Sequence, residues 1–115
     1  MDNTILGLSI VIIILLIIVL YLKVEKTYVY WFQKPECPYC MIFEPEWNKF
    51  EKAVRFSSIK PIKIDVNKDL SLAENFGVKT VPHIVRVKNN VRTVFGEQRT
   101  CSNLINFAKK KISKF

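Results

Sequence analysis

Two cysteines spaced i, i+3, Cys37 and Cys40, are the side chains best suited to chemistry in this sequence. They close the run Tyr28-Val-Tyr-Trp-Phe-Gln-Lys-Pro-Glu-Cys37-Pro-Tyr-Cys40, in which a β-rich stretch reaches a short turn and a helix then begins. Unpaired backbone N–H groups and the dipole at a helix N-terminus favour negative charge, so a cysteine placed there is biased toward thiolate. The thiolate is the attacking species in disulfide exchange, and a second thiol one turn on resolves the mixed disulfide. Two inert core cysteines, or half of a zinc site, would share the spacing. A strand before the pair and a helix after it favour the redox reading. His83 and Cys101 would complete a zinc ligand set by type, but the spacing is irregular and Pro38 stiffens the loop, so no metal is expected. Cys101 reads as a structural or weakly reactive thiol, and His83 as a strand residue near the pair. The exchange runs on sulfur atoms alone, so no cofactor is expected.

The elements that must position the pair follow from periodicity. Tyr28 to Phe32 is aromatic and β-branched, a buried strand. Phe43, Trp47, Phe50 and Val54 recur at i, i+4, i+7 and i+11, one face of a helix from Pro38 to about Phe56. Pro38 suits a first helical turn, whereas Pro45 falls inside the helix and is expected to kink it. Ile62, Ile64 and Val66 alternate with polar residues as a second strand, and Leu70 to Phe76 is a short helix closed by Gly77. Ile84 to Lys88 and Val91 to Phe95 flank Asn89-Asn90, a pair that tolerates the positive φ of a hairpin turn. Thr100 or Ser102 caps a last helix with Ile105, Ala108, Ile112 and Phe115 as its apolar face.

Ahead of this domain, Ile5 to Leu22 carries no charge, and at 1.5 Å per residue makes about 27 Å of helix, enough for a thin bilayer. Asp2 rather than a basic region precedes it and Lys23-Val-Glu-Lys26 follows, so it reads as an uncleaved anchor rather than a signal peptide. Residues 1–26 are then a tail and single transmembrane anchor, and 27–115 one compact domain. Lys23, Lys26 and Lys34 on the C-terminal flank favour the cytosolic side for that domain. A lumenal membrane, which suits disulfide formation, and a virion membrane are the alternatives. The formal net charge is +8. Lys109 to Lys114 either complements a helix dipole or meets anionic lipid headgroups; no recognition motif accompanies the charge, so no nucleic acid partner is expected. Five residues separate Leu22 from Tyr28, at most about 18 Å, and the strand then leads away from the anchor. Cys37 is therefore expected at the membrane-distal end.

From about Tyr28 to Phe107 the chain resembles a thioredoxin-fold domain, and most of all the catalytic domains of protein disulfide isomerases. The resemblance rests on Cys37-Pro-Tyr-Cys40, on Pro45-Glu-Trp47, on Phe76-Gly-Val-Lys-Thr-Val-Pro82 and on Gly96-Glu-Gln-Arg-Thr100. It implies an α/β architecture: a minimal thioredoxin fold, β-α-β-α-β-β-α with a four-stranded mixed sheet, behind the transmembrane helix. It also implies Cys37 as nucleophile, Cys40 as resolver and the Pro38-Tyr39 redox loop between them. Pro82, after a cis peptide, would lie beside them and expose the Val81 backbone for strand-like pairing with substrate. The chain departs from the family in two places. The anchor replaces the family's first βα unit, and the motif strand lacks the family's buried acid, leaving Glu36 or water as proton relay. Pro-Tyr between the cysteines and Thr80-Val81-Pro82 are also similar to glutaredoxins, although the residues that hold glutathione there have no counterpart after Phe95. The function implied is a membrane-tethered oxidoreductase acting on protein thiols and disulfides. A glutathione-dependent enzyme and a non-catalytic membrane adaptor are the alternatives. Retention of both cysteines favours an enzyme.

Overall fold

The structure is a computed structural model that describes residues 2–23 and 25–110. Helix α1 (Asn3–Lys23) is apolar on every side and buries none of its surface against the rest of the chain. It is long and apolar enough to cross a membrane. Strand β1 (Thr27–Gln33) follows, then α2 (Pro38–Ala53), β2 (Ile59–Asp65), α3 (Leu70–Asn75), β3 (His83–Lys88), β4 (Val91–Val94) and α4 (Cys101–Lys109). The sheet runs β2-β1-β3-β4, with β1 parallel to β2 and antiparallel to β3. This is the mixed four-stranded thioredoxin topology that the resemblance implies.

β1 is buried on both faces, which is why it reads as a continuous apolar run rather than an alternating one. Val29 and Trp31 pack with Phe43, Trp47, Phe50 and Val54 of the α2 side and with Leu104 and Ala108 of α4. Phe32 turns the other way, against Val66, Ala73 and Val85, with Tyr30 and Phe76 at the margin. Trp31 meets Phe43 edge-on at 4.8 Å and Trp47 at 5.3 Å, geometries that add to area burial.

Three expectations change in detail. α2 runs through Pro45 but stops at Ala53, and Phe56 lies 97% exposed. Ser57 is the cause: its hydroxyl donates to the Val54 carbonyl (2.8 Å) and accepts from Ile59 N–H (3.2 Å), turning the chain into β2. β2 begins at Ile59 rather than Ile62, because it is an edge strand, where Pro61 is tolerated. The buried residues of α4 are Leu104 and Ala108, with Ile105 half-buried beside them; Ile112 and Phe115 lie outside the described residues. Thr100 is its cap, accepting from Asn103 N–H at 3.2 Å. Asn89 (φ 52°), Asn90 (φ 62°) and Gly77 (φ 67°) take the left-handed conformations expected of them.

Arg86 was not singled out by the sequence. It is buried in β3, and its Nη1 donates to the carbonyls of Phe107 and Lys110, 2.7 Å each, where α4 ends. A cation satisfying terminal helix carbonyls ties α4 to the sheet. Arg86→Met should therefore destabilise the fold by roughly 2–3 kcal/mol. Denaturant unfolding of the full chain in detergent, followed by the fluorescence of buried Trp31 and Trp47, measures it. An unchanged midpoint would show that the bond carries no stability.

Candidate redox site

Parallel pairing with β2 and antiparallel pairing with β3 leave one end of β1 facing the start of β3, with Phe32 opposite His83. The chain leaving β1 turns there into α2. Cys37 N–H donates to the Lys34 carbonyl at 3.2 Å, and Cys37 becomes the N-cap of α2 in extended conformation. Its sulfur accepts from Cys40 N–H at 3.2 Å, the task a serine or aspartate oxygen performs at ordinary caps. Pro38 occupies the first helical turn, where its missing N–H costs nothing. The Cys37 sulfur therefore sits in the field of the free helix end.

Both thiols are free, and the structure describes the dithiol form. Cys37 is less exposed than its expected role suggests, at 8% accessible, but Cys40 is more buried still at 2%. The cover over Cys37 is Val81, whose carbonyl lies 3.9 Å from its sulfur. The Val81–Pro82 bond is cis. Burial first, and the hydrogen bond with Cys37 second, push the Cys40 thiol up to about 11, while the Arg99 charge and the Lys34 backbone pull the other way.

Glu36 is exposed and accepts from the Asn67 side chain at 3.3 Å. The carboxylate that shares a cleft with Cys40 is Glu44, one turn further along α2. It pairs with Lys63 of β2 at 2.9 Å, and the two line a cleft of about 350 Å³ with Trp31 and Cys40. Lys63 also lies 5.1 Å from the Trp31 ring. Neither residue was singled out by the sequence. The available signal was the i, i+4 spacing of Cys40 and Glu44, which puts them on one helix face. Arg99, whose charge acts on Cys40, lies in the loop entering α4 and carries no sequence signal of its own.

Around the pair the surface is apolar: Pro38, Tyr39, Met41 and Ile42 are exposed, Tyr39 by 65%. A groove of about 500 Å³ runs between Tyr39, Ile42 and the Glu97–Thr100 loop, and another of about 190 Å³ lies beside Thr80 and Val81. His83 opens β3 near the site, and burial lowers its pKa, so its ring stays neutral at pH 7. Cys101 is half-buried in the first turn of α4 and packs against the core that contains both site thiols. Among the described residues no group of three or more His, Cys, Asp or Glu side chains is placed to hold a metal ion.

The mixed sheet, the cysteine at a helix cap and the proline turn beside it define a thioredoxin-type dithiol protein. The thioredoxin family model matches residues 20–110, and the chain belongs to that family. Protein disulfide-isomerase TMX3 of Xenopus laevis is 32% identical over 81 residues, 69% of this chain and 18% of that protein. Thioredoxin-related transmembrane protein 1 of Bos taurus is 29% identical over 80 residues, 70% of this chain and 29% of that protein. The chain thus spans less than a third of the length of either relative. Among solved structures, the first thioredoxin domain of mouse Protein disulfide-isomerase A4 superposes with a TM-score of 0.67 at 26% identity, covering 73% of this chain and 61% of that one. Family and relatives support thiol–disulfide oxidoreductase activity.

Alkylation tests the placement of the thiols. With its pKa pushed up to about 11 and little surface, Cys40 should react with iodoacetamide after Cys37 throughout pH 7–9. Peptide mass spectrometry reads the order. Modification of Cys40 first would reverse the assignment.

Proposed function

We propose that the chain is a membrane-tethered thiol–disulfide oxidoreductase that acts on protein disulfides through Cys37 and Cys40. One observation carries the reading: the Cys37 sulfur caps α2 beside the Val81 carbonyl, with the Cys40 thiol buried one turn behind it. A non-catalytic adaptor would need neither thiol.

The roles follow from that arrangement. A substrate segment pairs with the backbone at Val81 and lies across Pro82, Tyr39 and Ile42, bringing its disulfide to Cys37. The Cys37 thiolate attacks one substrate sulfur; the substrate S–S bond breaks, and the leaving sulfur takes up a proton. Cys40 then gives up its proton and attacks the Cys37 sulfur. The mixed disulfide breaks, the second substrate thiolate leaves, and a Cys37–Cys40 disulfide remains. Two electrons have passed from the dithiol to the substrate, and the reverse sequence oxidises a substrate dithiol.

Cys40 needs a proton acceptor, because a thiol near 11 is almost wholly protonated at neutral pH. Glu44 is the acid in its cleft, held by Lys63, and it takes the relay role that the sequence offered to Glu36 or water. The proton crosses the cleft through water rather than by direct contact.

The domain, residues 27–115, stands off the membrane on the anchor, and the flanking lysines favour the cytosolic side. Lys109 and Lys110 are exposed at the end of α4 and available to anionic headgroups; Lys111 and Lys114 lie outside the described residues.

Insulin reduction with dithiothreitol as electron source is the test. Cys37→Ser should abolish turnover, and Cys40→Ser should leave mixed disulfides through Cys37 after acid quench. Glu44→Gln should slow the resolving step by roughly 100-fold, in the range of a lost general base. It should also accumulate the same mixed disulfide and alter the pH profile of resolution. Turnover by Cys37→Ser would end the proposal; an unaltered profile in Glu44→Gln would remove only the relay.

A further inference from the structure

At the opposite end from the thiols, four features converge that the redox reading does not use. Lys52, Arg55 and Lys60 line a cleft of about 440 Å³ between the end of α2 and the start of β2, with Asn48 and Glu51 on its wall. Phe56, next to Arg55, is 97% exposed. It is held outward by an ordered turn, since Ser57 binds both Val54 and Ile59. The ion pairs among the described residues are Lys49–Glu46 and Lys63–Glu44, so none of the three cleft cations is paired with an acid there. A cation in the last turn of α2 complements the helix dipole, which accounts for Lys52 but not for Arg55 or Lys60.

The fourth feature fixes where this end points. Thr27, the first residue of β1, donates its N–H to the Ser58 carbonyl at 3.1 Å. Only residues 24–26 separate Thr27 from the last residue of α1, a span of at most about 15 Å. The Arg55–Ser58 turn is therefore tied directly to the exit of the anchor. The antiparallel register places Val87 opposite Tyr28, so Lys88 and the Asn89-Asn90 turn lie at the same end. A fully exposed phenylalanine among unpaired cations suits a bilayer interface, where the ring enters the headgroup boundary and cations meet phosphate.

We propose that this end of the domain binds anionic lipid headgroups, with Lys52, Arg55 and Lys60 holding the phosphate and Phe56 inserted beside it. The site is distinct from the C-terminal lysines, and it rests on α1 being a membrane anchor. It holds the domain upright, with the Cys37 end away from the lipid.

The test uses the full chain in nanodiscs, either of phosphatidylcholine alone or of its mixture with phosphatidylserine. Phe56→Trp reports depth through quenching by bromolipids, measured against the background of buried Trp31 and Trp47. Leu70→Trp, exposed where α3 begins, is the distal control. We expect quenching of Phe56→Trp in the anionic discs only, with Leu70→Trp unaffected. Arg55→Gln and Lys60→Gln should each lower the salt-sensitive component by roughly fivefold. In the unsubstituted chain, amide exchange across residues 54–60 should slow in anionic discs, which needs no Phe56 variant. Equal behaviour in neutral and anionic discs would overturn the proposal. So would displacement by inorganic phosphate at constant ionic strength, since the cleft would then be a free-phosphate site. A chain that does not co-purify with the discs would overturn the anchor reading and this surface with it. That outcome is separable, because the anchor reading survives either of the first two.

Discussion

The structure depends on one strand having no free side. β1 is hydrogen-bonded to β2 along one edge and to β3 along the other, and both its faces are covered by apolar side chains. A strand so enclosed has a single register, because a slip of one residue would exchange Trp31 and Phe32 between two differently shaped cores. That fixed register sets where β1 ends and α2 starts. It also sets where β3 begins, which brings the Val81–Pro82 turn over Cys37. The site is precise because a rigid element delivers each of its parts.

Within the site, burial separates two identical functional groups. Cys37 sits at the free end of α2, where its sulfur already accepts one backbone N–H. Cys40, three residues on, is enclosed, and loss of water pushes its thiol from 9.0 to about 11. The same shift has a thermodynamic sign. A thiol whose folded pKa lies above its unfolded one stabilises the fold below pH 9 and loses that contribution as pH rises toward 11. The reduced domain is thus held together partly by keeping Cys40 protonated, whereas resolution requires that proton to leave. The proposed relay reconciles the two demands: Glu44, half-exposed, paired with Lys63 and lining the same cleft as Cys40, would take the proton only during resolution.

What the sequence revealed, and what it did not, divides along the range of the interactions. Local patterns were legible: the helical spacing of Phe43, Trp47, Phe50 and Val54, the Asn89-Asn90 turn, and the one-turn spacing of the cysteines. Where a side-chain bond to the backbone or the position in the sheet decides, the pattern misled. Ser57 ended α2 before Phe56, and Pro61 was compatible with a strand only because β2 lies at the sheet edge. Leu104 sits beside Ile105 in the sequence, and the crossing of α4 over the sheet made it the buried one. Arg86, Glu44 and Lys63 were invisible for the same reason, since charged residues in an alternating strand or on a helix look solvated until their partners are known. Glu36 was the acid nearest Cys37 in the chain, whereas Glu44 is the one that shares a cleft with Cys40.

The separation of the two ends has a consequence for substrate choice. β1 is 7 residues long, so its ends stand roughly 20 Å apart. On the proposed membrane reading, α1 holds one end at the bilayer and the redox turn follows the other. A domain free to tumble on its tether would sample thiols at every height, including those level with the headgroups. One fixed at its base through Phe56 and the neighbouring cations presents Cys37 at a constant height and orientation. Proteins in the same membrane whose disulfides stand at that height then react as though tethered, at a high effective concentration. Those lying at the lipid surface are excluded by geometry rather than by recognition. Selectivity of this kind needs no specific pocket, in keeping with a site bordered by shallow grooves and an exposed Tyr39 rather than an enclosed cavity.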